Sequence, residues 1–130
     1  MSRILYRPVT CAALVISCSS CVNEEERAQR ELEEKADKDA RRAKVKAAVC
    51  TDETGAMFKP VVFRFAEDEE TENLAVVYAK PDLWSALNID QRLVFAGWAA
   101  ECIRGKDMLS IRDGNSGETL TTWSLDGGLR

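Results

Sequence analysis

From Glu24 to Val49 the chain contains no glycine and no proline, and it is built almost entirely from Ala, Glu, Lys, Arg and Leu. These residues are strong helix formers, so the stretch is expected to be one continuous helix, with Asn23 placed to cap it. Its charges are balanced: residues 24 to 46 carry eight acidic and eight basic side chains. Glu26/Arg30, Glu31/Lys35, Glu34/Lys38 and Asp37/Arg41 stand four apart in the favourable order, each pair contributing about 0.2–0.5 kcal/mol. Acidic residues crowd the start and basic ones the end, which suits the helix dipole. The apolar stripe Ala28, Leu32, Ala36, Ala43 and Ala47 is too thin for a coiled-coil seam. The stretch is expected to be a solvated single helix, the alternative being a helix that pairs with a partner, and as a single helix it serves as a spacer of about 40 Å at about 1.5 Å per residue. Such a helix has no apolar face to contribute to a core, so residues 50–130 must supply the folded domain.

Composition narrows what that domain can do. The chain has 130 residues and no histidine, which removes the commonest general base, the usual serine and cysteine triads and most zinc sites. Residues 47–130 carry 14 acidic and 8 basic side chains, a net charge of −6, which excludes a basic patch for a nucleic-acid backbone. No nucleic-acid partner, metal, cofactor or catalytic residue is expected.

Ahead of the charged helix, Arg3 and Arg7 form a basic start to an apolar run from Val9 to Ile16, interrupted only by Thr10 and Cys11, that has the length of a secretory signal core and is too short to span a bilayer. Val15-Ile16-Ser17-Cys18 at its end resembles the lipobox of bacterial lipoproteins. The resemblance implies that residues 1–17 are a signal peptide, cut before Cys18, and that the Cys18 thiol carries diacylglycerol. Acylation of the new amine would then give lasting attachment to the bilayer. Cys18-Ser19-Ser20-Cys21 is a rival site that would make Cys21 the anchor, but there a cysteine replaces the upstream aliphatic residue. In lipoproteins of double-membraned bacteria an aspartate after the anchor commonly marks inner-membrane retention. Ser19 is not aspartate, so the resemblance implies the outer membrane, facing the periplasm.

Beyond Cys50, Val61–Phe65 and Leu74–Ala79 are β-branched and aromatic runs of strand length, joined by the acidic turn from Glu67 to Asn73. Lys80-Pro81-Asp82 breaks the second run. A short helical turn is expected through Leu83–Leu87, and a longer helix capped by Asn88 or Asp90 runs to about Arg104. Ile89, Leu93, Ala96, Ala100 and Ile103 recur at helical spacing and mark its expected core face. Two more strands follow, around Leu109–Ile111 and from Glu118 to Leu125, separated by the turn Asp113-Gly114-Asn115-Ser116-Gly117. The expected class is α+β, a small ββαββ domain over residues 50–130, preceded by the signal at 1–17 and the lipid-anchored charged spacer at 18–49.

Phe95, Trp98 and Cys102 lie on the helix's other side and are too apolar for a solvated surface. Either the segment from Cys50 to Phe58 folds across them with Cys50 bonded to Cys102, or Phe95 and Trp98 form a partner-binding ridge. Export makes the disulfide chemically feasible, and Cys21 is left as an odd thiol. The glycine-rich turn around Ser116 is similar to the surroundings of a serine nucleophile but has no histidine to act as its base. Asp113, Asn115 and Glu118 offer oxygen ligands without a complete calcium loop. The function expected is a non-enzymatic envelope lipoprotein that engages a protein partner in an assembly, exclusion or inhibitor role. The alternative is a hydrolase or a small-ligand or ion-binding module using carboxylates around Asp113–Glu118.

Overall fold

The structure is a computed structural model that describes residues 15–130, with side chains from 23 onward. The signal segment up to residue 14 lies outside the described residues, as do the side chains of Cys18 and Cys21. Helix α1, Val15–Val49, covers the charged stretch and begins before Asn23, which therefore lies inside the helix and does not cap it. Every side chain from Asn23 to Asp37 is exposed, as a helix with charges on all sides requires.

The compact unit begins at Lys38, earlier than the boundary at Cys50 expected from the sequence. Two things draw residues 38–49 into it. Val49 is buried in the core and Val45 packs against it. Lys38 and Arg41, expected to pair with Glu34 and Asp37 along the helix, instead meet Asp107 at 2.9 Å and Asp126 at 2.6 Å. Carboxylates held by a folded scaffold outcompete helical neighbours because less side-chain freedom is lost in meeting them.

After α1 come α2 (Asp52–Phe58), β1 (Val62–Phe65), β2 (Leu74–Ala79), α3 (Pro81–Ala86), α4 (Ile89–Gly97), β3 (Met108–Asp113), β4 (Thr119–Ser124) and β5 (Gly128–Leu129). The five strands form one mixed sheet in sequence order; β2 and β3 are parallel and the other neighbours antiparallel. The class is α+β. It includes two elements the sequence did not announce, the short helix α2 and the two-residue strand β5. The α3–α4 connection carries the chain across the sheet from β2 to the parallel β3, and α4 starts with a capping box between Asn88 and Gln91.

Helix α4 continues as a π-helical segment from Trp98 to Arg104, ended by Gly105 in the left-handed conformation (φ 65°). The core face expected for this helix is corrected. Ala96 and Ala100 are buried, but Ile89 is 69 % exposed, Leu93 45 % and Ile103 42 %. The helix is turned so that Phe95, Trp98 and the small residues Ala96, Ala99 and Ala100 face inward. Aromatic rings bury more area than the aliphatic chains they displace, and alanines let the helix lie close on Ala75, Val77 and Leu109 of the sheet. The wider π turn also shifts Ile103 off the 3.6-residue stripe.

Candidate functional site

Phe95 and Trp98 do not form a partner-binding ridge: both are buried, and the reading of them as contact residues is corrected. Phe95 meets Phe58 of α2 with ring centroids 5.6 Å apart, Trp84 of α3 at 5.8 Å and Trp98 at 6.0 Å. The cover is the segment after Cys50. Thr51 caps α2 by accepting the Thr54 N–H, which launches the helix across α4. Gly55 lies against the Trp98 indole, whose Nε1 is 3.7 Å from where a Cβ would stand. Cys50 and Cys102 are joined by a disulfide with Cα atoms 5.5 Å apart, fixing α2's entry to the π-helical segment.

The glycine-rich turn after β3 is closed by its own groups. The Asp113 carboxylate accepts the backbone N–H of Asn115 at 2.6 Å and of Ser116 at 3.1 Å. Ser116 Oγ accepts the Glu118 N–H at 3.2 Å, and the Gly117 N–H donates to the Asp113 carbonyl at 2.8 Å. Gly117 has φ 79°, the conformation this turn needs. Asp113 and Ser116 therefore act as turn-formers. Among the described residues no group of three or more His, Cys, Asp and Glu side chains is placed to hold a metal ion, and no helix is long and apolar enough to cross a membrane.

The same turn does shape a cleft. Its Gly114 N–H donates to the Ala79 carbonyl at 2.8 Å, tying the turn to the end of β2. A Cβ on Gly114 would lie 3.0 Å from that oxygen and 3.2 Å from Phe63, a tight fit that a glycine avoids. Beside it, the pairing of β1 with β2 is irregular between Val62 and Arg64. A bulge of this kind re-aims a side chain, and Phe63 stands 55 % exposed. Lys80, Pro81, Asp82 and Leu83 complete the wall where β2 gives way to α3, and the cleft holds about 480 Å³. It sits at the carboxyl ends of the parallel strands β2 and β3, where Ala79 and Asp113 are paired, a position where crossover sheets leave a crevice. Its walls are apolar at Phe63 and at Leu83, which is 41 % exposed, with Lys80, Asp82 and Asn115 as polar groups.

Sequence reasoning missed Phe63, Lys80 and Leu83. Strict alternation would have put Phe63 on the same face as Val61 and Phe65, and the bulge breaks that parity. The acidic turn between β1 and β2 is tied to the strands and to the π-helical segment. Glu70 is held by Arg104 at 2.5 Å, and Glu69 takes a 2.6 Å bond from Arg112 and a 2.9 Å bond from the Tyr78 hydroxyl. The hydrogen bond from Arg104 holds the Glu70 carboxyl below the usual carboxylate range.

Comparison of the chain with protein-family models, with curated proteins and with solved structures finds no match.

Proposed function

We propose that the chain is a lipid-anchored envelope lipoprotein, attached through Cys18, whose small α+β domain binds a protein partner in the periplasm. On this reading residues 18–37 are the spacer, and the outer membrane is its address. The observation that carries the interaction role is the cleft: two large apolar side chains, Phe63 and Leu83, stand exposed across a crevice whose polar groups are one cation, one carboxylate and one amide. An apolar side chain of a protein partner inserted between them would lose its contact with water, while Lys80 and Asp82 orient it. The Cys50–Cys102 disulfide supports export, because such bonds persist in oxidising compartments and are rare in the cytosol.

Two measurements test the reading separately. The intact mass of the membrane-extracted protein is expected to exceed that of the chain from Cys18 by the mass of its acyl chains; a mass matching the unmodified chain removes the lipid anchor. Crosslinking in intact cells, comparing wild type with the double variant Phe63→Ser/Leu83→Ser, is expected to lose specific products. Recovery of the same products at the same yield removes the cleft as the contact.

A further inference from the structure

Residues 38–49 of α1 are held on the domain by an ion cluster with an uneven partition of charge. Asp107, just before β3, receives two hydrogen bonds from Arg42 Nη2, at 2.8 Å to each carboxylate oxygen, and a third from Arg42 Nε at 3.1 Å. Lys38 Nζ lies 2.9 Å from the same carboxylate. Glu101, in the π-helical segment, has a side chain only 1 % exposed, and its nearest cation is Arg42 Nε at 3.7 Å from Oε1. Its Oε2 is buried without a hydrogen-bond partner. Lys46 of α1 also faces Glu101, and Asp39 competes for Arg42 at 3.2 Å.

Arg42 and Lys38 are committed to Asp107, so an ionised Glu101 would be a buried charge with one oxygen unpaired, a costly state. A protonated Glu101 avoids that cost and can donate its proton toward Asp107. Burial, then the hydrogen bond and charge of Asp107, push the Glu101 carboxyl up to about 7, against the opposing pull of Arg42 and Lys46.

We propose that Glu101, Asp107 and Arg42 form a proton-operated clasp that sets how firmly residues 38–49 of α1 are held on the domain. In the closed state Glu101 keeps its proton, donates it in a hydrogen bond to Asp107, and Arg42 divides itself between Asp107 and the exposed Asp39. When Glu101 releases the proton to solvent, Arg42 must also serve a further, buried carboxylate, and its hold on Asp107 loosens. The clasp rests on this cluster alone and does not require the envelope reading.

Hydrogen exchange of the intact chain, followed by mass spectrometry and corrected for intrinsic rates, tests it. Protection of the amides of residues 43–49 is expected to fall roughly tenfold between about pH 5 and about pH 8 in the wild type, and to change little in Glu101→Gln. Equal protection at both pH values in the wild type, or the same fall in Glu101→Gln, would overturn the clasp. If Glu101→Gln does not fold, the carboxyl carbon resonance of Glu101 in the wild type decides. A midpoint near neutrality supports the clasp, and one in the ordinary carboxylate range defeats it.

Discussion

The ring of Phe58 meets the ring of Phe95 edge-on, at an interplanar angle of 72°, and both side chains are almost wholly buried. This contact joins a helix of seven residues to the helix that crosses the sheet. It turns what would be an exposed aromatic face into the centre of the core. The energetic weight of Phe95 and Trp98 therefore lies in folding.

Phe95→Ala and Trp98→Ala are each expected to destabilise the domain by about 3–5 kcal/mol, the range for emptying a buried aromatic site. Phe63→Ser/Leu83→Ser, at exposed positions, is expected to change stability by less than about 1 kcal/mol. Urea denaturation of the three proteins checks the ranking. A Trp98→Ala protein as stable as wild type would show that the ring is dispensable to the core.

Removal of the Cys50–Cys102 bond opens a loop spanning 52 positions. The double variant Cys50→Ser/Cys102→Ser is expected to lose about 2–4 kcal/mol, chiefly by freeing the unfolded chain. Thermal melts of wild type with and without reductant, compared with the variant, measure it. A melting temperature unaffected by reductant would contradict the expectation.

Stability should peak in mildly acid solution. The folded-state pKa of Glu101, up to about 7 from an ordinary 4.5, means its stabilising contribution is complete below the ordinary value and is lost as pH rises through about 7. Asp107 works the other way. Burial raises its pKa, but the hydrogen bonds and charges of Arg42 and Lys38 together outweigh this and leave it lowered. Glu70 is lowered chiefly by the hydrogen bond from Arg104. The contributions of Asp107 and Glu70 are present above their ordinary values and lost as pH falls through the lowered ones. Urea midpoints are therefore expected to drop between about pH 5 and about pH 8, by up to about 3 kcal/mol in unfolding free energy, and to drop again in strong acid. A midpoint that rises from mild acid to neutral pH would be the wrong sign.

Gly114→Ala is expected to cost about 1–3 kcal/mol, because the added methyl would press on a backbone oxygen 3.0 Å away and on Phe63. The turn must lift from the end of β2 to admit it. Calorimetry of the variant gives the cost, and an unchanged melting temperature would show that the turn accommodates the methyl freely.

Much of the local structure was legible in the sequence because it depends on neighbours in the chain. The run Leu74–Ala79 is β2 to the residue, Asn88, one of the two caps expected, caps α4, and Asp113 to Gly117 make the turn their composition announces. The candidate site was less legible. The Asp113–Glu118 turn was visible, but as a source of carboxylates rather than as one wall of a cleft. Phe63, Lys80 and Leu83 reach that cleft through a bulge and a crossover connection, which depend on how β1 and β2 pair across space.

By itself the sequence determined the helical character of the charged stretch, the strands β1 to β4, the Asn88 cap of α4 and the α+β class, since propensity, capping and alternation act over a few residues. Only the tertiary structure decided which side of α4 is inside. Helical periodicity offered an aliphatic stripe and an aromatic one, and the choice fell to the aromatic side once α2, α3 and the Cys50–Cys102 bond supplied rings and a tether to bury it. The same holds for the end of α1. Its charges could satisfy one another along the helix, but Lys38, Arg41 and Arg42 turn to Asp107 and Asp126, carboxylates that the folded sheet brings within reach from more than 60 positions away in the chain.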